Sequence, residues 1–192
     1  MEALALRLQS HWDLVEDHLS NVKPPPIPGP DFGLVEAVHR ARGVHDAIVV
    51  NAQNPTAFAP VIKRAKDAGV VLVAFDNILD TEDAINVNVD QKGLGEYWAH
   101  WLVNNIPNGG KILEVRGVAG TSVDTDRHNG IHEVLDASGK KWDVVEVVGK
   151  WDDGTAQKVS ADAIAVQKHF DGITVQGGST GTVRAFMDAG HP

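Results

Sequence analysis

Val70-Val71-Leu72-Val73-Ala74-Phe75-Asp76 is the stretch on which the fold turns. Six apolar residues, most of them β-branched or aromatic, run without a break and end on a carboxylate, which reads as a buried strand closed by a turn. Similar runs recur on either side, at Asp46–Val50, Ala84–Val89, Lys111–Arg116, Asp143–Val148 and Gly172–Gln176. Between them the apolar period changes to that of a helix. Phe58, Val61, Ile62 and Ala65 share one face, as do Leu94, Tyr97, Trp98, Trp101 and Leu102, and as do Ile131, Val134 and Leu135. Further helices are expected over Leu34–Arg42, Thr155–His169 and Thr180–Ala189. Strands alternating with helices predict an α/β fold with parallel sheets. The link from Phe75 to Ala84 is too short for a helix, so the sheet is expected to change nearby, with a boundary around Val87–Gly95.

Residues 1–33 differ in character. Leu4, Leu6, Leu8, Leu14, Val15 and Leu19 can support a helix, but the segment runs into Pro24-Pro25-Pro26-Ile27-Pro28-Gly29-Pro30, which favours extended geometry. The division expected is therefore 1–33 as an atypical proline-rich segment, 34–89 as one partial lobe and 90–192 as another. Gly190-His191-Pro192 follows a helix where a next strand would begin, which reads as a truncated end. Residues 1–15 carry Glu2, Arg7, His11 and Asp13, so no secretory signal is read there.

Composition removes several function classes. With 26 acidic against 17 basic residues, a net charge of −9 and no clustered basic surface, no nucleic-acid partner is expected. The absence of cysteine excludes disulfides, thiolate zinc sites and cysteine nucleophiles. No apolar run is long enough to span a membrane.

Ligands of open α/β sheets bind beyond the carboxyl ends of the strands, so the polar residues there are the candidates. Asp76 would present its carboxylate to paired hydroxyls; the alternative is an Asx turn or helix cap. Arg127, just after Ser122–Asp126, has a planar fork suited to vicinal oxygens; the alternative is a salt bridge to Asp124 or Asp126. Trp151 can lay its indole on the C–H face of a sugar ring or lid the core beneath it. Trp98 and Trp101 fall on a helical stripe and read as core.

Three catalytic or metal readings fail. Gly177-Gly178-Ser179-Thr180-Gly181 fits a nucleophile elbow, but only Asp188 and His191 follow it, too near in sequence to complete a triad. The same loop lacks the first glycine of a dinucleotide fingerprint, because Gln176 stands there. His128 and His132 lie one helical turn apart without the H-E-x-x-H pattern, and two ligands do not complete a site. They read as surface histidines, and no catalytic residue, metal or cofactor is expected.

Taken together, Val44–Asn51, Lys63–Val70 and Val73–Asp76 resemble the ribose-type periplasmic sugar-binding proteins, the substrate-binding family of ABC transporters. Val87-Asn88-Val89-Asp90 with Gly93 and Gly95 is similar to that family's hinge-crossing segment, and Gly110–Gly117 to the first strand of its second lobe. Gly120-Thr121-Ser122 with Arg127-His128-Asn129-Gly130 is the most specific piece. The resemblance covers Val44 to Pro192 and implies two Rossmann-like lobes with parallel sheets, both incomplete, closing on a sugar. By position it implies ligand contacts from Asp76, Arg127, Trp151 and, where the usual polar pair is replaced by glycines, Gln176 or Gly177. It further implies a monomer outside the cytoplasmic membrane, in the periplasm or cell envelope, that delivers sugar to an ABC permease and catalyses nothing. The same fold also serves effector-binding regulators of the lactose-repressor type, but residues 1–22 supply no convincing helix-turn-helix.

Overall fold

The computed structural model describes residues 46–53 and 55–191. The expected helix over Leu34–Arg42 and the proline-rich segment lie outside them. Strand β1 (Ala47–Val50) leads through a 3-10 turn (Pro55–Phe58) into α1 (Ala59–Asp67), followed by β2 (Val71–Phe75) and β3 (Ile85–Val87). Then come α2 (Gln91–Asn105), β4 (Gly109–Arg116), α3 (Ser122–Ala137), β5 (Lys141–Val148), α4 (Asp153–Gln167), β6 (Gly172–Val175) and α5 (Ser179–Asp188). All six expected strands and all five expected helices in the described region form, with ends shifted by a few residues.

Two three-stranded parallel sheets result, with orders β1-β2-β3 and β5-β4-β6. Val71–Phe75 and Gly109–Arg116 lie in different sheets. In the second sheet the chain leaves β4 for β5 on one side and returns to β6 on the other, creating a switch point at the carboxyl end of β4.

The second sheet is covered on both faces. Ile112 packs with Ala99, Leu102, Ile131 and Leu135 on the α2–α3 side, while Leu113 and Val115 pack with Ala156 and Ala163 on the α4 side. The first sheet is different. Helix α1 buries Val61 and Ala65 on the side of Leu72 and Ala74, yet Val49, Phe75, Ile85 and Val87 are each 45–65% exposed. A parallel sheet normally buries both faces, whereas the described residues cover one face of this sheet and leave these side chains of the other exposed.

One expectation needs correcting. Trp101 is 59% exposed and Tyr97 71%, so neither is core. The buried stripe of α2 is Gln91, Gly95, Ala99 and Leu102. Small residues win those positions because α2 and α3 cross closely: a Cβ at Gly95 would come within 2.1 Å of the Arg127 carbonyl oxygen, and one at Gly130 within 2.2 Å of that of Lys92.

Two carboxylates that fasten chain turns make stability depend on acid. The Asp152 side chain caps α4, accepting from the Thr155 N–H and hydroxyl at 2.7 Å each, and Asp171 accepts the Lys111 N–H at 2.7 Å. These backbone hydrogen bonds hold both groups below the usual carboxylate range. A depressed folded pKa contributes stability that is present above the unfolded value, about pH 4, and lost as pH falls through the folded one. Melting from pH 6 down to pH 2.5 is expected to show Asp171→Asn less stable than the parent at pH 6 and converging with it in acid. A constant difference across the range would refute the assignment.

Candidate functional site

Strand β2 ends on Asp76, whose φ of 61° lies in the left-handed region, a conformation that aspartate tolerates better than most residues. Its N–H is tied to the Val87 carbonyl of β3 at 3.0 Å. Among the described residues the exposed carboxylate is touched only at long range, by Asn51 Nδ2 at 3.4 Å and Gln91 Nε2 at 3.5 Å. Both contacts are at the edge of hydrogen-bonding distance, so its lone pairs are free to accept from an incoming group. The neighbouring Asn77 is buried instead, donating to Asn51 Oδ1 at 2.8 Å and accepting from the Val123 N–H at 3.4 Å. The Ile78 N–H donates to Ser122 Oγ at 2.9 Å, so the loop after β2 meets the start of α3.

Helix α3 is capped by Thr121, whose hydroxyl accepts from the Asp124 N–H. Asp124 is fully buried and binds Arg116 Nη2 at 2.7 Å and the Gly117 N–H at 2.9 Å. The salt bridge considered for Arg127 is therefore made by Arg116. Arg127 turns elsewhere: Nε donates to Gln91 Oε1 at 2.8 Å, Nη1 to the Gln176 carbonyl at 3.1 Å, and its guanidinium carbon lies 5.8 Å from the Trp98 ring centroid. Burial lowers its pKa, opposed by the charges of Asp76 and Asp124; a guanidinium stays protonated regardless. Its Nη2 makes no hydrogen bond among the described residues.

At β6 the Gln176 side chain faces inward, donating to the Asp124 carbonyl at 3.2 Å, with Oε1 buried and unpaired among the described residues. Its backbone carbonyl is what reaches Arg127. Trp151 follows Lys150 at the end of β5, both with φ near 60°. A Cβ at Gly117 or Gly177 would fall within 2.9 Å of the indole, so the ring covers both glycines. Gly177 thus makes room for Trp151. Trp151 Nε1 is buried without a partner among the described residues.

The five residues singled out by sequence form one string, Asp76 through Gln91 to Arg127 and Gln176, then Gly177 under Trp151. Gln91 is the member that sequence reasoning missed. It is 3% exposed and links Asp76, Asn88 and Arg127. It lies just beyond β3 and after the capping Asp90, a place that carries no distinctive signal in the sequence.

Ser179 starts α5 and His191 lies beyond its end, against Phe186 at 6.0 Å. A helix of that length separates the two by about 15 Å, so they form no catalytic pair. His128 and His132 require correction. They are not surface histidines: both contact the fully buried Glu114 at 3.0 Å.

Two parallel α/β sheets with polar groups gathered where their carboxyl ends meet define a two-lobed ligand-binding class of fold. Residues 36–192 match the periplasmic binding protein domain, and the chain belongs to that family. It is 34% identical over 101 residues to the galactofuranose-binding protein of Escherichia coli, covering 50% of this chain and 31% of that protein. It is 32% identical over 107 residues to the D-ribose/D-allose-binding protein of Pseudomonas aeruginosa, covering 50% and 32%. The solved ABC transporter solute binding protein from Thermobispora bispora superposes with a TM-score of 0.73 at 29% identity, over 86% of this chain and 52% of that one. The chain therefore matches about a third of each relative's length and about half of the neighbour's.

Proposed function

We propose that this chain is part of a solute-binding protein that captures a sugar or similar polyhydroxy nutrient between two hinged lobes and delivers it to an ABC permease. The observation that carries this reading is the string from Asp76 to Trp151 at the carboxyl ends of both sheets. A carboxylate with free lone pairs accepts from vicinal hydroxyls, a guanidinium with a free Nη2 donates to ring or hydroxyl oxygens, and an indole provides an apolar wall. Residues 34–89 belong to one lobe and 90–192 to the other, with 1–33 as a separate segment. The similarity to galactofuranose- and ribose/allose-binding relatives supports a sugar as ligand. On the same reading the protein works outside the cytoplasmic membrane, as a monomer, without catalysis and without nucleic acid.

Isothermal titration against pentoses, hexoses, furanose sugars and sugar alcohols tests the proposal. Binding of at least one member, with quenching or enhancement of tryptophan fluorescence, is expected. Trp151→Ala should weaken that binding by about 1–2 kcal/mol, through lost ring contact and admitted water, and remove most of the fluorescence change. Failure of every member to bind a folded chain that retains Asp76, Gln91 and Arg127 would count against a sugar. An unchanged fluorescence response in Trp151→Ala would remove that residue from the site.

A further inference from the structure

Glu114 sits in the middle of β4 and is fully buried, although a carboxylate there needs strong compensation. Helix α3 presents two imidazoles to it from one face, spaced i and i+4. His128 Nδ1 lies 3.0 and 3.1 Å from the two Glu114 oxygens, and His132 Nε2 lies 3.0 Å from Oε2. Glu146 faces Glu114 in register on β5. One ligand atom from each of the four residues falls within 4.8 Å of all the others. On the other flank Glu114 pairs in register with Thr174, 4% exposed, whose hydroxyl has no partner among the described residues.

We propose that Glu114, His128, His132 and Glu146 bind one divalent transition-metal ion, zinc in the first instance, which pins α3 to the second sheet. Two imidazole nitrogens and two carboxylate oxygens are a donor set that suits Zn²⁺. A tetrahedral shell with bonds of about 2.0–2.2 Å places its ligand atoms about 3.3–3.6 Å apart, so the histidine contacts to Glu114, at 3.0–3.1 Å, must open slightly and the wider spacings, none above 4.8 Å, must close to admit the ion. Charge points the same way. Glu114, Glu146 and Asp124 gather around a single guanidinium, that of Arg116, which binds Asp124 at 2.7 Å and Glu146 at 3.0 Å. With neutral imidazoles this leaves two negative charges, the number a dication offsets. Glu146 is 42% exposed at its side chain and gives an ion a path from solvent. The inference does not depend on sugar binding, but Arg127 immediately precedes His128, so an ion here fixes the turn of α3 that carries it.

The test is titration of the chelator-treated chain with ZnCl₂ and, separately, CoCl₂. One zinc per chain is expected, with the intense visible absorption of four-coordinate cobalt. At a hundredfold excess over Kd the melting temperature should rise by about 5–10 °C, with no response to Mg²⁺. His128→Gln with His132→Gln should lower zinc affinity by about 100-fold or more and abolish the cobalt spectrum while circular dichroism stays that of the parent. Single His100→Gln and His169→Gln variants, at exposed histidines outside the cluster, should bind as the parent does. Zinc binding no tighter than that of the double variant, a weak six-coordinate cobalt spectrum, or a melting temperature indifferent to zinc would overturn the proposal.

Discussion

Replacing Arg127 by alanine is expected to weaken sugar binding by about 2–3 kcal/mol, some 30- to 150-fold. Arg127 bridges Gln91 on one side and the Gln176 carbonyl on the other, at 2.8 and 3.1 Å, over the Trp98 ring. Its removal takes away a charge-assisted donor to the ligand and strands two acceptors, one on a side chain that is only 3% exposed. Arg127→Lys should recover little, because an ammonium on a flexible stem cannot hold Gln91 and Gln176 and still offer a planar donor. Asp76→Ala removes the opposing acceptor and should lose affinity on the same scale. Calorimetry on variants with parent-like melting curves reads these effects. Parent-like affinity in both alanine variants would place the ligand elsewhere.

The largest effect on stability is expected from Gly95→Ala. In an exposed helix this change stabilises by up to about 1 kcal/mol, since alanine is the better helix former. Here the new methyl would lie 2.1 Å from the Arg127 carbonyl oxygen, a backbone atom that can move only if α3 moves. Overpacking of this kind costs about 3 kcal/mol, so the sign reverses and the melting temperature should fall by about 6–12 °C. Gly130→Ala makes the reciprocal collision with the Lys92 carbonyl and should behave alike. Because the displaced backbone belongs to Arg127, Gly95→Ala should also weaken sugar binding. A variant as stable as the parent would mean that the two helices are not held this closely in solution.

Strands and helices were legible because the sheets leave unbroken apolar runs, buried on both faces at Ile112-Leu113 and on one face at Val71–Phe75, and a helix on a sheet leaves a 3.6-residue stripe. Short β3 was legible mainly through its neighbours, since only Ile85–Val87 pairs. Trp101 was misread because periodicity ranks residues by size, while the α2–α3 crossing selects Gly95 and Ala99. Asp76 and Arg127 could be found from their places at strand end and helix start. Gln91 could not, because a lone glutamine after a capping aspartate looks like any first-turn residue; only the fold brings it between Asp76 and Arg127. The histidines failed for a similar reason: spacing along α3 was visible, but the partner Glu114 comes from a different strand. A glutamate inside Lys111–Arg116 was the available clue.

Among the described residues, the hydrogen bonds that join the two sheets include the Ile78 N–H to Ser122, the Val123 N–H to Asn77, and Gln91 to Asp76. Each couples polar groups, and the apolar clusters of the second sheet draw only on residues from Trp98 to Phe186. Hydrating amides and carboxylates lowers heat capacity, whereas hydrating hydrocarbon raises it. Hydrating the polar groups of this seam therefore contributes a heat-capacity change of opposite sign to that of exposing the apolar clusters.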